Sequence, residues 1–112
     1  MIYKNYNKRF NEAQIYMLIN NFDTDKKHVC IGTTTNKIVR KYQHKRRCND
    51  PDDKGYNWKV YKYIRKTGGF ENWKMVIIEK FPCKNEKELS KRENYWIEYY
   101  NANLNTNNKY IY

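Results

Sequence analysis

Apolar positions along this chain follow two rhythms, one strand-like and one helical. From Ala13 to Asn20 the segment AQIYMLIN is a nearly unbroken run of β-formers, and HVCIG at residues 28–32 is a second. Asn20-Asn21 and the charged stretch Asp23–Lys27 separate them, which predicts a β-hairpin with a long loop, and Gly32 is expected to end its second strand. The period then changes. Ile38, Val39 and Tyr42 form a short apolar stripe, and Thr35 or Asn36 can cap a helix running from Lys37 to about Arg47. After the breaker-rich loop NDPDDKG (49–55), Val60, Tyr61 and Ile64 mark a second helix over 58–66, ended by Gly68-Gly69. WKMVIIEKF (73–81) is the strongest strand signal. Asn85 with Glu88 three places on makes an Asn variant of the capping box, opening a helix to about Tyr100.

The order β-β-α-α-β-α predicts an α/β (α+β) domain built on a small sheet, without repeats or an interdomain linker. Residues 1–12 show no period and read as a loosely held N-terminal arm. Residues 13–112 read as a single domain, since a chain of 112 residues leaves too little for two cores.

Composition narrows the partners. Lys and Arg number 23 against 12 Asp and Glu, a formal charge of +11, which suits a polyanion, nucleic acid before an anionic membrane. Lys, Asn, Tyr and Ile make up about half of the chain, and their A/T-rich codons account for part of the lysine excess. The longest aliphatic run, Met75–Ile78, is far short of a membrane span, and no charged-then-apolar leader follows Met1. Cys30, Cys48 and Cys83 are odd in number, widely spaced and without a CxxC pair, so neither a disulfide framework nor a structural zinc site is expected. An intracellular, reduced setting is the expectation.

Two segments carry candidate chemistry. In the last helix Leu89, Trp96, Ile97 and Tyr100 share a face, and Glu93 falls among them. A carboxylate there is costly unless paired or metal-bound, so Glu93 is either a rim salt-bridge partner or a metal ligand or general acid/base. The first helix concentrates charge in Lys37, Arg40, Lys41, Lys45, Arg46 and Arg47. This run is either a solvated face or a surface for nucleic-acid phosphates. Arg40 and His44, four apart, place a guanidinium fork beside an imidazole, a pairing suited to a phosphate. His28 reads as a strand or rim residue.

Ile15-Tyr16, Cys30-Ile31-Gly32, Thr33–Asn36, Arg40, His44 and Arg92–Ile97, in that order over residues 14 to 108, resemble the GIY-YIG nuclease family. The likeness is to the catalytic domain of phage intron-homing endonucleases and their relatives in large DNA viruses. The resemblance implies a three-stranded antiparallel sheet flanked by helices and a metal-dependent DNA endonuclease. No helix-turn-helix, zinc finger or other base-reading module is recognisable, so little sequence specificity is expected. One active site per chain implies nicking, or duplex cleavage by successive nicks or by a dimer. The resemblance implies roles as well: Tyr16 orients or deprotonates the attacking water, Arg40 faces the scissile phosphate and His44 assists the tyrosine or contacts the phosphate. Glu93 would hold one divalent ion, Mg²⁺ or Mn²⁺, and Asn108 would line the site, with Asn105 as second choice. Cys30 stands where the family's second motif tyrosine falls, and Gln14 where glycine is usual. Lys37, Lys41, Lys45, Arg46 and Arg47 would bind DNA. A catalytically impaired nucleic-acid-binding domain of the same fold, or a basic RNA-binding module, are the alternatives.

Overall fold

A computed structural model describes residues 8–105. The first apolar run forms β1 (Gln14–Asn20), which pairs antiparallel with β2 (Val29–Thr34) on one side and β3 (Trp73–Lys80) on the other. The sheet order is β2-β1-β3. As the central strand, β1 is covered on both faces, which is why its apolar residues are consecutive rather than alternating. Ile15, Met17 and Ile19 join Val29, Ile31 and Leu89 in one core cluster. Tyr16 and Leu18 join Cys48, Val60, Tyr61, Ile64 and Leu104 in the other.

The three predicted helices are present: α1 (Lys37–Asn49), α2 (Lys59–Lys66) and α3 (Glu86–Tyr100). Asn36 caps α1, its side chain accepting from Val39 N at 3.1 Å, and Asn85 caps α3, accepting from Glu88 N at 3.0 Å. The Glu88 carboxylate turns back to accept from Lys84 N rather than from the cap residue itself. Arg65 ties α2 to the preceding segment by donating to Cys48 O and Tyr56 O. Arg92 and Trp96 of α3 both donate to Glu79 of β3, Arg92 through two nitrogens at 2.6 and 3.1 Å.

Three local expectations are corrected. The second strand does not end at Gly32 but continues to Thr34, because Gly32 pairs with Tyr16 in the β1–β2 ladder. In the segment read as a loose arm, residues 8–12 form a 3-10 turn: Phe10 is buried, and its carbonyl accepts from Ala13 N and Cys83 N. A lone aromatic without a periodic neighbour gave no sign of this; residues 1–7 lie outside the described residues. The apolar stripe of α1 faces outward, with Ile38 81% and Tyr42 75% exposed, while His44 and Cys48 are the buried residues of that helix. The apolar pattern therefore identified the helix but pointed to the wrong face. No described helix is long and apolar enough to cross a membrane.

Candidate active site

A cleft of about 350 Å³ opens at the β2 edge of the sheet, where α1, α2 and α3 meet it. Each element contributes through its own geometry. Tyr16 lies on the α1/α2 face of β1, opposite Gly32, and its phenol passes over that glycine. A Cβ at Gly32 would sit 2.5 Å from Tyr16 Cζ, so the absence of a side chain there makes room for the ring. The β1–β3 register also shifts between Ile15 and Tyr16, an irregularity beside a residue that lines the cleft.

Thr34 sets the start of α1, accepting from Asn36 N and donating to Asn36 O, both at 2.9 Å. From that start Arg40 and His44, four residues apart, reach the cleft together, with Arg47 one turn on. On α3, Glu86, Ser90 and Glu93 are spaced three and four apart and line the facing wall. Glu93 is half-buried where the apolar face of α3 meets the cleft. Asn105 clamps the β2 edge, accepting from Ile31 N at 2.7 Å and donating to Ile31 O at 2.8 Å, and this amide also lines the cleft.

His44 sits between two phenols. Its Nε2 is 2.6 Å from Tyr16 Oη and its Nδ1 is 2.8 Å from Tyr61 Oη. Arg47 donates to Tyr61 Oη at 3.4 Å. Burial, opposed by the nearby Arg40 guanidinium, pushes the Tyr16 phenol well above its ordinary value, and Cys30 and Glu93 act in the same direction as burial. Burial likewise pushes Tyr61 up to about 12, against the Arg47 hydrogen bond. Both tyrosines therefore rest as neutral phenols.

Tyr16, Cys30, Arg40, His44 and Glu93 are thus brought together on one cleft. Asn108 lies outside the described residues, and Asn105 occupies the cleft wall. The basic residues of α1 divide. Arg47 turns inward to Tyr61 and stacks on Trp58, and Arg46 pairs with Asp53 at 3.1 Å. The backbone N–H of Gly55, followed by Arg46, holds the Asp53 carboxyl below its usual range. Lys37, Lys41 and Lys45 line a separate groove with Ile38, Tyr42, Phe70 and Trp73, on the flank of α1 away from the cleft. His28 does not line the cleft and lies against Tyr63. Sequence reading passed over Tyr61, which sits in the apolar stripe of α2 and there looks like any core aromatic; its hydrogen bond to His44 Nδ1, from a neighbouring helix, reveals it.

The chain matches a family model described as the GIY-YIG catalytic domain over residues 12–110. No curated protein matches the chain, and no solved structure does either.

Proposed function

This chain belongs to the GIY-YIG family, a family of nucleases, and from that premise we propose that it is a metal-dependent endonuclease hydrolysing DNA phosphodiester bonds in the β2-edge cleft. The observation that supports this reading is the convergence of Tyr16, Arg40, His44 and Glu93, from three different elements, on one polar cleft.

Hydrolysis of a phosphodiester needs a positioned water, neutralisation of charge on the phosphoryl oxygens and support for the leaving oxygen. Arg40 meets the second need, its fork accepting no proton and matching two phosphate oxygens. Tyr16, hydrogen-bonded to His44 on the cleft wall, is the group assigned to the attacking water. Because burial keeps that phenol neutral at rest, Tyr16 orients water in the free protein and gains basicity only as positive charge gathers around it.

The donor set fits a hard cation. Glu93 offers one half-buried carboxylate in a cleft with room for waters and a phosphate, and no three His, Cys, Asp or Glu side chains cluster among the described residues. Mg²⁺ or Mn²⁺ is commonly held by one or two carboxylates together with substrate phosphate and water. Bound by Glu93, one such ion would supply Lewis acidity to the phosphoryl and leaving oxygens.

The charge of +11 would draw the chain to DNA without reading its sequence, and a single active site of this kind per chain would give nicking, or duplex cleavage by successive nicks or by a dimer. Arg40→Ala separates this reading from simple binding. Cleavage should fall by about 10²-fold or more, as for loss of a donor that meets transition-state charge. DNA affinity should weaken only slightly, with a salt slope reduced by about one. Equal loss of both would make Arg40 a general phosphate contact. Binding to single-stranded RNA without any cleavage would favour the RNA-binding alternative.

A further inference from the structure

Three aromatic side chains line the cleft, and they differ in what they can still meet. Tyr16 and Tyr61 are each 2% exposed and joined through His44, so their ring faces are not available to a ligand. Trp58 is half-buried on the cleft wall and keeps part of its surface open. The ring is held in place. It packs against the cluster that contains Val60, Tyr61 and Ile64, and Arg47 Cζ lies over it, 5.2 Å from the centroid. A Cβ at Gly55 would come 3.2 Å from Trp58 Cε3, so the loop before α2 approaches the ring closely at a residue without a side chain. The indole N–H groups differ too. Those of Trp73 and Trp96 donate to Thr67 and Glu79 at 3.1 and 2.8 Å, whereas that of Trp58 meets no acceptor among the described residues. A braced, amphipathic ring with an uncommitted donor thus shares one cleft with Arg40 and Glu93.

We propose that Trp58 is a substrate-binding residue whose indole stacks on the nucleobase next to the phosphate that Arg40 meets. This deepens the nuclease reading and rests on it for the identity of the strand as DNA. Phosphate contacts are blind to the bases, while an aromatic ring meets the π-face that every base carries, so the contact adds affinity for bases without selecting a sequence. It does select a state. A base inside an intact duplex is stacked on both sides, and reaching Trp58 costs that stacking, least where the base is already unpaired. The cleft therefore favours a phosphodiester beside an unstacked base.

The test compares two single strands with the same phosphates, oligothymidylate and its abasic counterpart, each about twelve residues long, titrated into the full chain in EDTA. Wild type should bind the thymidine strand roughly 5- to 100-fold tighter, the range for one stacked base, with a quench of tryptophan emission that Trp58→Phe abolishes. Trp58→Leu, which fills space without a π-face, should lose that preference and keep its affinity for the abasic strand; Trp58→Phe should retain part of the preference. Equal affinity of wild type for the two strands overturns the proposal, whatever the variants do. A preference that survives intact in a folded Trp58→Leu protein overturns it equally, moving base contact to an exposed ring such as Tyr42 or Tyr99. Oligouridylate titrated alongside should bind no tighter than oligothymidylate, and a clear preference for it overturns the assignment to DNA. Because no ion is present, these readouts are separate from cleavage. Base preference without nicking in Mg²⁺ or Mn²⁺ removes the nuclease reading and leaves Trp58 as a stacking platform.

Discussion

Gly32→Ala tests the geometry that places Tyr16. The new methyl would lie 2.5 Å from Tyr16 Cζ and 3.0 Å from Cε1, against the roughly 3.5–4.0 Å of an ordinary carbon contact. Neither partner has room to yield. Gly32 is fixed opposite Tyr16 in the β1–β2 ladder, and the ring is 2% exposed and tied to His44. Overpacking of this kind costs about 1–3 kcal/mol, and losing the Tyr16–His44 bond adds about 0.5–1.5. Replacing glycine returns about 0.4–1 kcal/mol by restricting the unfolded chain. The net expectation is about 0.5–4 kcal/mol of destabilisation, a Tm lower by roughly 2–16 °C in a domain of this size. A double-mutant cycle with Tyr16→Ala, read by thermal melting, isolates the contact: without the ring, the added methyl should be neutral or slightly stabilising. If Gly32→Ala melts like wild type and the cycle is additive within about 0.5 kcal/mol, the phenol does not lie over Gly32 and Tyr16 is placed otherwise than described.

Two further outcomes concern the framework. Phe10→Ala should cost about 3 kcal/mol in chemical denaturation, because the ring is buried in the cluster shared with Ile15 and Leu89; an unchanged midpoint would mean that residues 8–12 are indeed a loose arm. Glu79 has its carboxyl held below the usual range, chiefly by the hydrogen bond from Arg92. A carboxyl depressed on folding adds stability that is present above the unfolded value, about 4.3, and is lost as pH falls through the lower folded one. Stability should therefore drop on acidification below about pH 4, and Glu79→Gln should lose less over that interval than wild type; equal losses would assign the acid sensitivity elsewhere.

Much of the architecture is legible in the residues because local signals agree with the tertiary outcome. The run at 73–78 is β-rich on both faces, Asn85 and Glu88 satisfy the first turn of α3, and each of the two glycines after α2 adopts a positive φ. Glu93 stood out because a carboxylate within an apolar helix face needs an explanation, and it lies half-buried in the cleft wall. The misreadings share a cause. Ile38 and Tyr42 were apolar at helical spacing, yet the inward face of α1 goes to Arg40, His44 and Cys48, so the polar residues of the site displaced the pattern that normally marks burial. Tyr61 and Asn105 act through groups distant in sequence, His44 seventeen residues before one and Ile31 seventy-four before the other. Periodicity carries no information at that range.

If the cleft hydrolyses DNA with Glu93 as its cation-binding carboxylate, cleavage must need both the ion and that side chain. Conversion of supercoiled plasmid to the nicked form, followed in Mg²⁺ for wild type and for Glu93→Ala and repeated with EDTA, tests it most directly. Wild type should nick the plasmid, EDTA should abolish that nicking, and the Ala variant should lack it while remaining folded. Nicking that persists in the Ala variant, or that survives removal of the ion, would contradict it.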